Sequence, residues 1–362
     1  SSSSAAPAAK VPVGIVLPTK DEPRWLQDLA VFKAAGYDAL FSDKDSAKEK
    51  ANVETLISQG IKVLIITPQD GKAAAAAAEA AQKAGVKVIS YDRLILGTKA
   101  VDYYVTFDSI AVGEAWGQYL IEKAGATKGN NLYLYAGAAS DNNAFIFFEG
   151  AWNKLQPKIA DGTFVIKNSS EAVAVQAKAK LTRDEMSKVI GQVTTNWDFN
   201  TAKTLAESNL TKAAAADKGT VFVAAPNDGT ARAIADAFAA DKAVTKYYIT
   251  GQDAEIASVQ YIIDGKQSMT VLKDVRTLAK DALTAAAAFV AGQTPAKTNT
   301  YNNGTFDVPA KPSAIVTVTK DNVKAAIVDS GYIPASSLKG LDTLGASSSS
   351  AAPAASGKLE MF

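Results

Sequence analysis

The stretch 62-KVLIITPQDGKAAAAAAEAAQKAGVKVISYDR-93 carries the pattern that decides the fold. Two short apolar runs, 62–67 and 86–90, have the branched apolar content of strands that are buried on both faces. The alanine-rich segment 72–84 between them has a high helix propensity, because alanine loses no side-chain entropy in a helix. A strand, a helix and a second strand in this order predict a βαβ unit with parallel strands.

The same alternation recurs along most of the chain. Further strands are predicted at 13–17, 37–41, 103–107, 132–137, 188–193, 220–225, 247–251 and 269–273. Further helices are predicted at 22–35, 46–59, 109–124, 143–158, 200–215, 229–240, 254–264 and 275–291. About ten strands in one parallel sheet would be unusual, so the pattern favours two α/β lobes with about five or six strands each. An eight-stranded α/β barrel is the alternative fold.

The composition excludes several classes of function. The chain contains no cysteine and no histidine, which removes disulfides, thiolate nucleophiles, imidazole bases and most zinc sites. Lys and Arg number 38 against 37 Asp and Glu, so a net charge of +1 gives no general attraction to nucleic acid or to an anionic membrane. No apolar run is long enough to span a membrane. We expect no metal, no cofactor and no nucleic-acid partner, and a small molecule recognised at a local site.

Low-complexity segments stand at both ends of the sequence. Residues 1–10 are rich in Ser, Ala and Pro, and we predict a disordered tether there. The run SSSSAAPAA at 1–9 recurs unchanged at 347–355, which favours engineered or appended material in the low-complexity tail 345–362.

Polar residues collect where each predicted strand gives way to a helix. In open α/β sheets, ligands bind beyond the carboxyl ends of the strands, so these junctions are the candidate site. Asp, Asn and Ser are also preferred helix N-caps, and capping is the competing interpretation for junction residues such as Asp108 and Asp141. Arg93 cannot cap a helix N-terminus, where the helix dipole is already positive, so we expect it to pair with Asp92.

The junctions share one kind of chemistry. Carboxylate, amide and guanidinium groups match the adjacent hydroxyls of a sugar ring, and indole rings stack on its C–H faces. Core packing is the competing interpretation for the tryptophans, and a lysine at a strand end can simply extend its ammonium into water. The candidate ligand-binding residues are Lys20, Arg24, Trp25, Asp92, Arg93, Asn143, Trp197, Asn227, Asp253 and Lys273.

Eight short motifs occur in the order and spacing of a known family. They are 18-PTKDEPRW-25, 91-YDRLI-95, 106-TFDS-109, 140-SDNNA-144, 226-PNDG-229, 251-GQDAE-255, 269-MTVLKD-274 and 302-NNGTFDVP-309. On these motifs, residues 11–343 resemble the periplasmic monosaccharide-binding proteins of bacterial ABC importers. The resemblance is greatest to the xylose-binding and multiple-monosaccharide-binding branch of the type I periplasmic binding proteins.

The resemblance implies a fold and its division. Two Rossmann-like α/β lobes with parallel sheets would be joined by three crossings of the chain. The N-terminal lobe is expected to comprise 11–108 and 275–311, and the C-terminal lobe 109–274 and 312–344. Residues 1–10 and 345–362 would then lie outside both lobes.

The resemblance also implies a function. A monosaccharide such as glucose, galactose, xylose or arabinose would be held between lobes that close on it, and the closed complex would dock on a membrane permease of an ABC importer. Trp25 or Trp197 would stack on the sugar ring. The first lobe would contribute Lys20, Arg24, Asp92 and Arg93, while Asn143, Asn227, Asp253 and Lys273 would come from the second lobe or the hinge.

Location and assembly follow from the same resemblance. The protein is expected to work outside the cytoplasm, in the periplasm or as a lipoprotein anchored through its N-terminal tether. It is expected to be a monomer without enzymatic activity and without a membrane span of its own.

One position departs from the family pattern, because xylose-specific members are expected to have an aromatic residue where this chain has Val193. That departure favours glucose, galactose or arabinose over xylose.

Two other functions stay open at this point. A receptor for a small sugar-like signalling molecule would have the same fold and a similar site. A glycoside hydrolase would use a pair of carboxylates such as Asp92 and Asp253, one of them kept protonated in an apolar setting. The neighbouring Arg93 instead favours the ionised form of Asp92, which argues against hydrolysis.

Overall fold

The structure, a computed structural model, describes residues 12–345, and contacts within the chain divide them into two compact units. The first unit contains 12–107 and 274–314, and the second contains 108–273 and 315–345. The chain therefore passes between the units three times, at 107–108, 273–274 and 314–315. The predicted tether 1–10, and the tail 345–362 apart from its first residue, lie outside the described residues.

Strands and helices alternate through both units. As far as residue 107 the elements are β1 (Val13–Leu17), α1 (Pro23–Ala34), β2 (Leu40–Phe41), α2 (Ser46–Ser58), β3 (Val63–Ile66), α3 (Ala75–Lys83), β4 (Lys87–Tyr91) and β5 (Tyr103–Val105). From 108 to 273 they are α4 (Ser109–Ala124), β6 (Asn130–Leu134), α5 (Asn142–Ala160), β7 (Phe164–Ile166), α6 (Ser170–Ala174), α7 (Arg183–Val193), α8 (Phe199–Lys212), β8 (Gly219–Ala224), α9 (Asp228–Ala240), β9 (Val244–Ile249), α10 (Ile256–Asp264) and β10 (Met269–Leu272). The last elements are α11 (Val275–Val290), β11 (Asn299–Asn302), β12 (Asp307–Ala310), β13 (Val316–Thr319), a π-helical turn, Lys324–Asp329, and two 3₁₀ turns, Ala335–Ser337 and Leu341–Thr343.

The first unit is built on a seven-stranded sheet in the order β11-β12-β5-β4-β3-β1-β2. Its strands are parallel except for the antiparallel β11–β12 pair at one edge. The strand order changes direction between β1 and β3, and doubly wound sheets bind their ligands beyond the strand ends at such a reversal. The segments that follow β1, β3 and β4 therefore converge at the candidate site of this unit.

The second unit repeats this plan with fewer strands. Four parallel strands follow the order β7-β6-β8-β9, with the reversal between β6 and β8, and β10 forms a separate antiparallel pair with β13. The segments after β6 and β8 carry Asn143 and Asn227. Two glycines place α4 and α5 in backbone contact, because a Cβ on Gly113 would lie 1.9 Å from the carbonyl oxygen of Phe147 and one on Gly150 would lie 2.2 Å from that of Ile110.

Both units confirm the α/β fold with mainly parallel sheets, and the barrel alternative is wrong. Each main sheet is open, since β11 and β2 are the edge strands of one and β7 and β9 those of the other. Within residues 12–345, no helix combines the length and the apolar character needed to cross a bilayer.

One predicted strand, 188–193, is wrong. These residues form the end of α7, which begins with a capping box between Thr182 and Glu185. The residues that α7 buries, Met186, Val189, Ile190 and Val193, recur at helical spacing. The short apolar run at 188–193 suggested a strand because the helical period becomes visible only over a longer window.

Candidate functional site

A buried carboxylate in the first unit orients the guanidinium of Arg24. Nε of Arg24 lies 2.8 Å from Oδ1 of Asp28, one turn further along α1, and Nη2 lies 3.3 Å from Oδ2. The hydroxyl of Tyr91 donates to the same carboxylate at 2.5 Å. Burial raises the pKa of Asp28 above its usual range, although Arg24 acts in the opposite direction. Burial also opposes the charge of Arg24, but Asp92 and Asp28 more than offset it, so the pKa of Arg24 is raised and the group stays charged.

Asp92 is fixed by its backbone and by its side chain. Its φ of 69° lies in the left-handed region, which side-chain-bearing residues adopt when the surrounding structure compensates for the strain. Its N–H donates to the carbonyl of Val105 at 2.7 Å, and its own carbonyl accepts from the hydroxyl of Tyr104 at 2.6 Å. Oδ1 lies 3.2 Å from Nη2 of Arg24. These contacts hold the carboxylate just beyond the end of β4.

Trp25 does not offer the stacking surface that the sequence predicts. It is only 2% exposed, and its indole N–H donates to Glu22 at 3.1 Å. The guanidinium groups of Arg24 and Arg93 lie over the indole, 4.5 Å and 5.3 Å from its centre. Trp25 is therefore a core residue that supports two cations, because its position in the first turn of α1 directs it inward.

The other two predicted cations of this unit differ in their surroundings. Nη1 of Arg93 donates to the carbonyl of Pro68, in the segment after β3, at 3.4 Å. Among residues 12–345, Asp92 forms its ion pair with Arg24 and not with Arg93, so the predicted pairing of Arg93 with Asp92 is wrong. Arg93 and Arg24 instead lie over the same indole, that of Trp25. Lys20 is exposed, and its ammonium lies 5.1 Å from the ring centre of Phe41.

In the second unit, an ion pair lies beside an aromatic ring that contacts a second one. Nζ of Lys273 is 3.3 Å from Oδ1 of Asp253, and both side chains are accessible, at 23% and 40% exposure. The same ammonium lies 5.5 Å from the ring centre of Phe147. The ring of Phe147 in turn meets Trp197 edge to face, with 6.2 Å between their centres. Polar forks and an apolar ring surface are thus adjacent, as a hydroxylated ring requires.

The position of Trp197 depends on a left-handed backbone conformation and on close packing against a glycine. Asn196 and Trp197 have φ values of 53° and 59°, both left-handed. The indole lies so close to Gly137 that a Cβ there would stand 2.1 Å from Cζ2 of Trp197. Its buried Nε1 has no hydrogen-bond partner among the described residues. Of the two tryptophans that the sequence singles out, Trp197 is the one that is partly accessible.

The segment around Asp253 is strained in the same way. Asp253 and Ala254 have φ values of 108° and 52°. The N–H of Asp253 donates to the carbonyl of Val271 in β10 at 2.9 Å, and the indole of Trp116 donates to the carbonyl of Gly251 at 2.9 Å. Asp92, Trp197 and Asp253 therefore share a costly backbone conformation, which is characteristic of functional sites.

The two predicted asparagines stand at helix N-termini. Asn143 lies exposed in the first turn of α5, where its N–H donates to the capping residue Asp141 at 2.8 Å. Asn227 is itself the N-cap of α9, since its Oδ1 accepts from the N–H of Thr230 at 3.3 Å. The cap uses only the oxygen, which leaves the amide nitrogen of Asn227 outside the capping interaction.

Sequence reasoning missed Asp28 and Phe147. Both lie one turn beyond a predicted residue on the same helix, Asp28 after Arg24 and Phe147 after Asn143, so helical spacing could have indicated them. An aspartate inside a helix is usually interpreted as solvent-exposed and a phenylalanine as part of the core, so neither was identified as a site residue.

Groups of acidic side chains able to hold a metal ion are absent from residues 12–345. Each unit has a fixed pair of hydrogen-bonding charged groups at its strand ends, with aromatic rings beside it. Such a set can bind a polar, uncharged ring, since carboxylates accept hydrogen bonds from its hydroxyls and guanidinium or ammonium groups donate to them.

Comparison with known proteins gives the same result. Residues 13–294 match the periplasmic binding protein domain family. The multiple sugar-binding periplasmic receptor ChvE of Rhizobium radiobacter is 36% identical over 347 residues, which cover 92% of this chain and 93% of that protein. The D-xylose-binding periplasmic protein of Escherichia coli is 30% identical over 335 residues, which cover 91% of this chain and 92% of that protein.

Two solved structures resemble most of the chain. A carbohydrate transporter solute binding protein from Chloroflexus aurantiacus, in complex with D-glucose, has 70% identity and a TM-score of 0.80, and the match covers 92% of this chain and 100% of that one. An ABC transporter solute binding protein from Clostridium phytofermentans with bound β-D-glucose has 33% identity and a TM-score of 0.69, covering 90% and 99%. Fold and sequence therefore define a solute-binding protein. The chain belongs to the periplasmic binding protein family, and its resemblance to the sugar-binding members is confirmed.

Proposed function

We propose that this protein binds a monosaccharide, with D-glucose as the first candidate, and delivers it to the permease of an ABC importer. Its relatives ChvE and the D-xylose-binding protein are named for sugar binding, and the similar proteins from Chloroflexus aurantiacus and Clostridium phytofermentans hold glucose. A location outside the cytoplasm follows from the family. Attachment by a lipid, a monomeric state and the absence of enzymatic activity are parts of the same proposal.

The observation that carries the proposal is the group formed by Asp253, Lys273, Phe147 and Trp197. An accessible ion pair with a 3.3 Å separation lies next to the ring of Phe147, which in turn contacts the partly accessible Trp197, and this combination suits hydroxyl groups on one edge of a sugar and C–H groups on its face. The fork of Arg24 and Asp92 gives the first unit a matching capacity for hydroxyls. We expect the sugar to draw its affinity from both units.

The charge pairs also bear on the competing enzyme. A retaining or inverting glycosidase needs one carboxyl held as an acid in apolar surroundings. Asp92 lies beside the guanidinium of Arg24, and Asp253 lies beside the ammonium of Lys273. Carboxylates paired in this way are suited to accept hydrogen bonds from hydroxyls, which supports binding without hydrolysis.

The environment of Val193 argues against a preference for xylose. This residue ends α7 and is fully buried, so it adds no ring surface of its own. The ring surface that is accessible comes from Trp197, four positions later. We therefore rank glucose, galactose and arabinose ahead of xylose.

Isothermal titration calorimetry with glucose, galactose, xylose and arabinose tests this function. The protein should first be unfolded and refolded to remove any sugar that it carries from its source. One-to-one binding of at least one sugar, near micromolar affinity and thus about −8 kcal/mol, is the expected result. Absence of binding heat with all four sugars would overturn the proposal, and a receptor for a sugar-like signalling molecule would then be the better-supported function.

A further inference from the structure

Three backbone donors hold the strained segment that carries Asp253. The N–H of Asp253 reaches the carbonyl of Val271, as described above. The N–H of Ala254 donates to Oγ1 of Thr270 at 3.2 Å, and the N–H of Glu255 donates to Oδ2 of Asp228 at 2.9 Å. Two of these three anchors lead to one side chain, because the hydroxyl of Thr270 in turn donates to Oδ1 of Asp228 at 2.7 Å.

Asp228 itself is completely buried, at 0% exposure, in the first turn of α9. Its Oδ1 also accepts from the amide nitrogen of Gln267 at 3.0 Å, and that nitrogen is fixed by a second bond to the carbonyl of Met269 at 2.9 Å. The fit is close, since a Cβ on Gly251 would stand 2.5 Å from Oδ1 of Asp228. The carboxylate therefore has three donors and no freedom to move.

We propose that Asp228 is a positioning residue for sugar binding: its carboxylate joins the N-terminus of α9, the 253–255 segment and β10, and so fixes Asn227, Asp253 and Lys273 relative to one another. Each joined element carries one of these residues, with Asn227 immediately before Asp228 and Lys273 immediately after β10. The inference rests on the proposed function, because it concerns residues that the function assigns to the ligand.

The chemistry of the network requires a carboxyl group at this position. Burial and the charge of Asp253 raise the pKa of Asp228 to about 8, while its three hydrogen bonds act in the opposite direction. Either protonation state fits, because the hydroxyl of Thr270 can donate to the ionised form or accept from the protonated one. An asparagine fits in neither orientation, since its NH₂ group would face the N–H of Glu255 or the NH₂ of Gln267. Asp228→Asn is therefore an isosteric change that breaks the network.

Hydrogen exchange of the unliganded protein tests the hold on the segment without any sugar. In Asp228→Asn we expect the amides of Ala254 and Glu255 to exchange at least tenfold faster, while core amides of β8 keep their protection. Asp102→Asn is the matched control, because Asp102 also accepts a backbone N–H, that of Val88 at 2.8 Å, but at the amino end of β4. Unchanged exchange at Ala254 and Glu255 would overturn the inference.

If Asp228→Asn does not fold, Thr270→Val and Thr270→Ser replace it. The valine removes the hydroxyl that links Ala254 to Asp228, and the serine retains it. Faster exchange at Ala254 in the valine variant, with recovery in the serine variant, is expected. Equal exchange rates of the Ala254 amide in the two variants would show that the Thr270 hydroxyl does not hold the segment.

A double-mutant cycle on sugar affinity then separates positioning from general stability. Asp228→Asn alone should weaken binding at least fivefold, but in an Asp253→Asn background it should weaken binding by a smaller factor, because one of the three residues that it positions is already impaired. Equal loss in both backgrounds, or no loss, would overturn the positioning role. Absence of binding by the parent protein would instead overturn the proposed function, and the exchange result would still decide whether Asp228 holds the segment.

Discussion

Nη2 of Arg24 lies 3.2 Å from Oδ1 of Asp92, although 68 residues separate the two in sequence. The buried carboxylate of Asp28 stabilises this contact, because it binds the guanidinium at two atoms and also accepts a hydrogen bond from the hydroxyl of Tyr91. A long cationic side chain is thereby ordered before any ligand arrives. Ordering in advance lowers the entropy cost of binding, because fewer side-chain conformations are lost when the ligand arrives.

Asp28→Asn should weaken glucose binding at least tenfold. The amide cannot grip the guanidinium at two acceptor atoms, so Arg24 loses its fixed orientation. It should also lower the free energy of unfolding by about 1–3 kcal/mol, because a buried charged partner is left incompletely paired. Calorimetry and chemical unfolding measure the two effects. Asp21→Asn is the control, since Asp21 lies exposed in a 3.6 Å pair with Lys44. Parental affinity in Asp28→Asn would contradict this account of Arg24.

Lys273→Met should reduce glucose affinity at least tenfold while the melting temperature of the unliganded protein changes little. The methionine keeps the apolar stem beside Phe147 but removes the ammonium that pairs with Asp253. An accessible ion pair contributes only roughly 0–1 kcal/mol to stability, so the loss should appear in binding. Lys246→Met is the matched control, because that ammonium also lies over an aromatic ring, 5.1 Å from the centre of Tyr248. A similar affinity loss in both variants would remove Lys273 from the site.

Gly137→Ala should displace Trp197. The added Cβ would meet the indole at 2.1 Å, so the ring has to move or the backbone has to shift, at a cost of about 1–3 kcal/mol. We expect a shifted tryptophan fluorescence spectrum and a glucose affinity at least fivefold lower. Gly191→Ala provides the control, because Gly191 lies inside α7 with nothing within 4 Å of its added Cβ, and it should be neutral or slightly stabilising. An unchanged spectrum in Gly137→Ala would show that Trp197 does not depend on this glycine.

The stability of the protein should depend on pH through Glu49. Burial raises the pKa of Glu49 to about 7 from a model-compound value of 4.5, although the N–H of Gln69 and the hydroxyl of Ser42 act in the opposite direction. Because the folded state binds the proton more tightly, the stabilising contribution is complete below pH 4.5 and is lost as the pH rises through 7.

Urea unfolding of the parent and of Glu49→Gln at several pH values measures this contribution. The stability of the parent relative to the variant should fall by up to about 3 kcal/mol between pH 4.5 and 7 and then stay level. A relative stability that does not vary over this range, or that rises with pH, would contradict the assignment.

Much of the architecture is predictable from the sequence, since the predicted alternation of strands and helices is found in the structure for the central strands of both sheets. The helix predicted at 109–124 has the same limits in the structure, because Asp108 caps it and accepts from the N–H of Ala111. What the sequence could not supply is the direction of side chains over long separations. Trp25 and Trp197 look alike as residues after a polar junction, yet one is a core residue beneath two guanidinium groups and the other is partly accessible.

Backbone conformation was the other missing source of information. The residue types of Asp92, Trp197 and Asp253 do not predict a left-handed φ, because that conformation is imposed by contacts with distant strands. The supporting residue Asp228 is hidden for the same reason, since its partners Glu255, Gln267 and Thr270 lie tens of residues away. Asp28 is hidden in part, because Arg24 is one helical turn away but Tyr91 is distant in sequence. Sequence motifs therefore identify the candidate residues, and tertiary contacts identify what holds them.

We propose that one monosaccharide draws its affinity from residues of both units. Calorimetric titration with D-glucose of the refolded parent, Asp92→Asn and Asp253→Asn measures this directly, because each variant alters the charge of one carboxylate and keeps its shape. We expect saturable one-to-one binding by the parent and at least tenfold weaker binding by each variant, with unliganded melting temperatures close to that of the parent. Parental affinity in either variant would contradict the claim, because only one unit would then supply the binding residues.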